Sequence, residues 1–260
     1  MPSAPKKNVL RNFKSGSFPK ETCDKDLTEN DDEWSVNKKH IGFLYFKAGV
    51  SASKGLNVAL LSNLATVTPF EYKGYKFGNA ESAYMADRLH PSDRWRLSIS
   101  GDLGSFKNMK ASPKTLSWWN NLKFNQKKPD TVANFWEANN MSGIIAKQAT
   151  KEDSCRQLLL LLDHKPRPSK AEEWTIWREI LEAKYRADVD AMTVLMATGD
   201  CLLIETAKNL GRKEQHGGAA QTSKWGGLVK DGVLLGENTM GRYMCRVRTI
   251  LQAEREFVVV

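Results

Sequence analysis

The stretch from Ser169 to Tyr185 restricts the fold more than any other part of the chain. Ser169-Lys170-Ala171-Glu172 carries the serine and glutamate of a capping box, in which each side chain bonds the other residue's backbone N–H and so starts a helix. Behind it Trp174, Trp177, Ile180, Leu181 and Tyr185 recur at i, i+3, i+6, i+7 and i+11, the stripe of a helix that lays one face on a core. Lys184 falls in the middle of that stripe. It either snorkels its ammonium to water or needs a buried anion.

A second helix is marked further upstream. The run from Thr68 to Phe77 is rich in Phe, Tyr, Thr and Val with Gly74 at a turn, which predicts a hairpin or two short strands. Asn79 is then a natural N-cap for a helix through Ala80, Ala83, Met85, Ala86 and Leu89. Glu81 lies in the first turn, and Glu81, Tyr84 and Arg88 share one stripe. An acid in a first turn is favoured by the helix dipole by about 0.3–1 kcal/mol without any function. The other reading is that an acid, a phenol and a guanidinium face one ligand.

The remaining signals outline a mainly α fold with a few short β-strands near the N-terminal part. Ile41–Phe46 is a strand candidate, followed by a small, polar loop from Gly49 to Gly55. After Pro91 and the glycines 101 and 104, helices are expected at Leu116–Phe124, Thr131–Asn139 and Lys151–Asp163, with His164–Pro168 as a stiff connector. Val189, Met192, Leu195 and Met196 predict a helix stopping at Gly199, and Cys201–Ile204 is a short apolar run ending at Glu205. Residues 207–236 hold many glycines and read as a long loop around Trp225. Asn238 is placed to cap a last helix whose Met240, Tyr243, Met244, Val247, Ile250 and Leu251 form one face, with Arg242 and Arg246 outward and Arg248 on the flank.

Residues 1–40 are polar and lack periodicity, so they are expected to form a flexible tail ahead of a single domain over 41–260, with a basic helical insertion at about 91–168. At 41% hydrophobic the chain can bury a real core. It has no apolar run of membrane-spanning length and no signal-like apolar segment, which points to a cytoplasmic protein without a membrane partner. Cys23, Cys155, Cys201 and Cys245 and the four His are scattered, so neither a disulfide framework nor a metal site is indicated, and the thiols are expected to be reduced and mostly buried. The net charge of +9 favours an anionic partner. Residues 101–128 carry 6 Lys against one Asp, interleaved with Phe106, Trp118, Trp119 and Phe124. Lys123, Lys127, Lys128 and Trp118 are therefore candidate nucleic-acid contacts, or else a solvated face over a Trp-bearing helix.

Taken in order, Ser62-Asn63-Leu64, Glu81 with Tyr84-Met85-Ala86 and Arg88, Ala183-Lys184-Tyr185, Leu195-Met196-Ala197-Thr198-Gly199-Asp200, Leu203-Ile204-Glu205, Trp225-Gly226, Gly236-x-Asn238-x-x-Gly241 and Met244 to Arg248 form a pattern. It resembles the NADAR, or YbiA-like, N-glycosidase family over roughly residues 41–90 and 170–252, with 91–168 and 207–224 as insertions. Ser82 stands where that family has His, Met85 where it has Gln, Leu64 and Leu89 where it has Phe, and Trp225-Gly226-Gly227-Leu228 where many members have Trp-Gly-Asp-Gly.

The resemblance implies an orthogonal helical, YbiA-like domain that cleaves N-glycosidic bonds to ribose without a metal or other cofactor. Its substrate would be an ADP-ribose-type or ribosyl nucleobase compound, such as guanine carrying ADP-ribose in nucleic acid. Glu81 matches the family's essential acid. Trp225 would stack on a base, Gly236 and Asn238 would approach the ribose or phosphate through the backbone, Arg88 and Lys184 would neutralise phosphates, and Gly226 belongs to the same substrate-binding set. Ser62, Asn63, Tyr84, Glu205 and Arg248 complete the expected substrate-binding set. The alternatives are a module that binds ADP-ribose or NAD without turnover, and a nucleic-acid-binding protein with a vestigial pocket.

Overall fold

The computed structural model describes residues 20–21, 43–46, 57–104, 165–205, 224–230 and 233–257. The three helices expected between residues 116 and 163, the candidate contacts Trp118, Lys123, Lys127 and Lys128, and most of the N-terminal tail lie outside them. In chain order the described elements are β1 (Lys20–Glu21), β2 (Phe43–Phe46), a 3-10 turn (Val58–Leu61), β3 (Phe70–Tyr72), β4 (Tyr75–Phe77) and α1 (Ala80–Arg88), followed by a 3-10 helix (Pro91–Leu97). Then come α2 (Lys170–Ala187), α3 (Val189–Ala197), β5 (Leu202–Glu205), β6 (Leu228–Lys230), β7 (Val233–Leu235) and α4 (Thr239–Phe257). The chain divides into two compact units, one of residues 63–192 and one of residues 1–62 with 193–260.

In the unit of residues 63–192 the hairpin forms where the sequence predicts it. β3 and β4 pair antiparallel with Phe70 opposite Phe77, Glu71 opposite Lys76 and Tyr72 opposite Tyr75. Lys73 and Gly74 turn the chain with φ of 48° and 82°, a left-handed pair that matches the twist of a tight hairpin. Alternation puts Phe70, Tyr72 and Phe77 inside and Glu71 and Lys76 in water.

Asn79 then caps α1 through its side chain, which accepts from the Ser82 N–H over 2.7 Å. The capping box of α2 closes in both directions. Ser169 Oγ accepts from the Glu172 N–H at 3.3 Å, and the Ser169 N–H donates to the Glu172 carboxylate at 2.8 Å. α2 packs against α1 and β3. Its buried face runs through Glu173, Trp177, Ile180, Leu181, Lys184 and Tyr185, whereas Trp174 is only half-buried. The face is rotated toward Glu173 from the one expected, because that edge of the helix meets Tyr84 of α1. Asp188 ends α2 and starts the next turn by accepting from the N–H groups of Ala191 and Thr68, each at 2.7 Å.

In the other unit β2 and β5 run parallel, with Phe43 opposite Leu202 and Phe46 opposite Glu205. β6 and β7 form an antiparallel pair, and β1 lies parallel beside β7. Strands are therefore not confined to the N-terminal part, and the end of the expected loop over 207–236 is a hairpin. The glycines there obscured two short runs, Leu228-Val229 and Val233-Leu234-Leu235, whose residues suit a strand. Gly199 turns the chain at φ 51° after α3, as its position predicts.

α4 packs on β5 with Met240, Tyr243, Met244, Cys245, Val247 and Leu251 buried, while Ile250 is half-buried. Cys201 and Cys245 are both buried free thiols. A Cβ at Gly241 would run into the carbonyl oxygen of Leu203, so only glycine allows α4 to lie this close to the strand. Gly241→Ala is expected to lower unfolding stability by roughly 1–3 kcal/mol through overpacking, seen as a fall in the urea midpoint without a change of slope.

Candidate functional site

Within residues 63–192 the first turn of α1 is tied to the segment before the hairpin. The Glu81 N–H donates to the Asn63 carbonyl at 3.0 Å, which sets the Asn63 backbone beside the helix start. Asn63 is 5% exposed, and its Oδ1 is buried with no hydrogen-bond partner among the described residues. At the other end of the same helix, Arg88 Nε is buried and likewise has none, while its carbonyl accepts from the Lys165 N–H at 2.8 Å. A buried polar atom left unmade costs about 1–3 kcal/mol, so such atoms mark places where a ligand can repay burial. Glu81 is half-buried and stands in this first turn.

Tyr84 sits between Glu81 and Arg88 on the stripe that the sequence predicts. Its ring stacks on Trp177 of α2 with centroids 4.4 Å apart and planes 17° from parallel. Its hydroxyl donates to Glu173 Oε1 at 3.1 Å. Burial pushes the Tyr84 hydroxyl pKa up; the Glu173 charge and hydrogen bond add to the rise, as does Glu81, and Arg88 opposes it. The phenol therefore stays protonated and lies within electrostatic reach of both Glu81 and Arg88.

Glu173 is the residue that sequence reasoning missed. It is 4% exposed although it occupies the first turn of α2, where an acid is normally solvated. The signal was present: Glu173, Trp177, Ile180 and Lys184 fall at i, i+4, i+7 and i+11, so this acid lies on the apolar stripe as surely as Lys184 does.

Lys184 does not snorkel. It is fully buried, with its Nζ 5.0 Å from the centroid of the Tyr185 ring. Burial lowers its pKa to about 7, and the nearby Asp188 carboxylate opposes the drop. Burial alone would raise the Asp188 pKa. Hydrogen bonds from Ala191 and Thr68, with the charge of Lys184, outweigh that effect and hold the carboxyl below its usual value.

Within the other unit the expected residues gather at the start of α4. The Asn238 side chain spans β5: Oδ1 accepts from the Glu205 N–H at 3.1 Å and Nδ2 donates to the Leu203 carbonyl at 2.8 Å. It does not cap α4 as its position suggests. Its backbone N–H donates to Gly226 O and its carbonyl accepts from the Arg242 N–H, with the residue held at φ 49°. The Glu205 carbonyl accepts from Gly227, and the Trp225 carbonyl accepts from Met240. Trp225 is half-buried, with Lys224 Nζ 5.0 Å from its ring centroid. Gly236 follows β7 at φ 88°. Arg248 is buried rather than on the flank and donates to Thr198 Oγ1 at 2.6 Å. Ser62 is buried after the 3-10 turn, and its N–H donates to Ala59 O at 3.0 Å.

The structure thus brings Asn63, Glu81, Tyr84 and Arg88 together with Glu173 in one unit, and Glu205, Trp225, Gly226 and Asn238 together in the other. Among the described residues no group of three His, Cys, Asp or Glu side chains is placed to hold a metal ion, and no helix is long and apolar enough to cross a membrane.

No family model matches the chain, and no curated protein matches it. Among solved structures it is similar to the NMR structure of the E. coli protein YbiA. The identity is 17% and the TM-score 0.42, over 82% of this chain and 87% of that one. At that likeness no property of the bacterial protein transfers to this chain.

Lys184 generates a test of its surroundings. The unfolded chain holds a lysine proton up to about pH 10.4. The folded lysine releases it near pH 7, so the unfolded state binds more protons between these values and stability rises with pH across them. Guanidinium unfolding of the wild type is expected to show that rise, by roughly 5 kcal/mol at most. Lys184→Met is expected to abolish it and to be the more stable protein at pH 7.

Proposed function

We propose that the protein is an N-glycosidase that hydrolyses the bond between a nucleobase-like group and ribose or ADP-ribose, as in guanine carrying ADP-ribose in nucleic acid. The observation that carries this reading is the pair of buried, unbonded polar atoms, Asn63 Oδ1 and Arg88 Nε, at the two ends of the Glu81-bearing helix. The ordered resemblance of the motifs to the NADAR family supports it.

The chemistry asks little of the protein beyond such a set. Loss of a base from ribose passes through an oxocarbenium-like state, which a carboxylate stabilises while taking a proton from the attacking water. Glu81 has that role. It sits half-buried in the first turn of α1. Arg88 is seven residues further along the same stripe and takes a phosphate, its guanidinium offering a fork that suits two phosphate oxygens. Asn63 orients the sugar by hydrogen bonding. Trp225, Glu205, Gly236, Lys184 and Arg248 remain candidate substrate contacts, and the basic stretch with Lys123, Lys127 and Lys128 a candidate nucleic-acid contact.

Incubation with ADP-ribosylated DNA and with free ribosylamino-pyrimidines, followed by mass spectrometry, tests the reaction. Release of free base or ADP-ribose is expected, with a loss of at least about 100-fold in Glu81→Gln. Equal rates for both proteins would rule out the enzymatic reading and leave a binding module. Salt-sensitive binding to unmodified DNA that survives Glu81→Gln would instead favour a nucleic-acid-binding protein.

A further inference from the structure

Tyr84 has a single hydroxyl proton, and Glu173 receives it. The hydrogen bond runs from Tyr84 Oη to Glu173 Oε1 at 3.1 Å, between residues that are 5% and 4% exposed. Stacking on Trp177 fixes the plane of the phenol ring. The hydroxyl torsion is then the freedom left to the side chain, and the buried carboxylate removes it. With its proton committed, the Tyr84 oxygen can meet any further polar group only as an acceptor. Tyr84 itself stands between Glu81 and Arg88 on one stripe of α1, and the charges of both act on its hydroxyl.

We propose that Glu173 is a positioning residue of the candidate site, which turns the Tyr84 oxygen into an obligate acceptor and so selects a ligand group that donates, a sugar hydroxyl, over an acceptor-only phosphate oxygen. The proposal rests on the reading of this unit as a ribosyl-nucleotide site and assigns its parts: the sugar hydroxyl beside Tyr84 and the phosphate at Arg88. A carboxylate and a carboxamide differ in the property that matters. Glu173→Gln keeps the shape but offers an N–H donor beside its carbonyl acceptor, so the phenol's proton is no longer held to one direction.

Calorimetric titration with ADP-ribose and with ADP, which lacks the terminal ribose, tests the assignment. The wild type is expected to prefer ADP-ribose. Glu173→Gln and Tyr84→Phe are each expected to weaken ADP-ribose binding about 10-fold and to leave ADP binding unchanged, a loss typical of one polar contact. The double variant is expected to be no weaker than the worse single one, because both changes break the same contact. Loss of affinity for both ligands alike, additive effects, or wild-type affinity in Glu173→Gln would each overturn the proposal, and thermal melting of the variants separates unfolding from these outcomes. If the wild type binds ADP-ribose and releases base while Glu173→Gln behaves identically, the proposal fails and the glycosidase reading stands. A wild type that binds neither nucleotide overturns the proposal, and the base-release assay then decides the glycosidase reading separately.

Discussion

The stack of Tyr84 on Trp177 is the contact on which the candidate site depends. It joins α1 to α2, and a stacked aromatic pair contributes about 0.5–1.5 kcal/mol beyond the area it buries. Its consequence reaches further than that energy. Once the ring is seated, the Tyr84 hydroxyl meets Glu173 of α2, and the helix that carries Glu81 and Arg88 is fixed in rotation about its own axis. The Asn79 cap and the bond from Glu81 N–H to the Asn63 carbonyl then set where that helix begins.

α2 carries two charged residues on its buried face, which is costly unless each is compensated. Glu173 is compensated by the Tyr84 hydroxyl and by its place in the first turn, where the helix dipole favours an anion. Lys184 is compensated in part by Asp188 and otherwise by giving up its proton near neutral pH. A stripe of leucines would pack α2 more cheaply, so the pair adds polarity to a face that packing alone would leave apolar. In the unit with residues 193–260, Asn238 has a comparable role, since its buried amide staples β5 to the start of α4 and Gly241 lets the two approach.

Local signals made much of this legible. The hairpin over residues 70–77, the Asn79 cap, the Ser169–Glu172 capping box, the Gly199 stop and the β5 run all follow from residues within a few positions of one another. What failed had a common character. The Gly-rich stretch before Asn238 hid the β6–β7 pair, because its strands exist through cross-strand bonds that three-residue segments do not announce. Asn238 looked like a cap, and the competing donors and acceptors of β5 took its side chain instead.

For the site, the sequence by itself put Glu81, Tyr84 and Arg88 on one face, because helical periodicity is a property of the local chain. It also gave Lys184 two possible fates without choosing between them. Only the tertiary structure decided that the lysine is buried, that Tyr84 is locked by a stack and a carboxylate, and that Glu173 supplies that carboxylate. Those outcomes depend on which helix covers which, and Tyr84 and Glu173 lie 89 residues apart. Burial and hydrogen-bond partnership across such a separation are set by packing, which no local pattern of residues encodes.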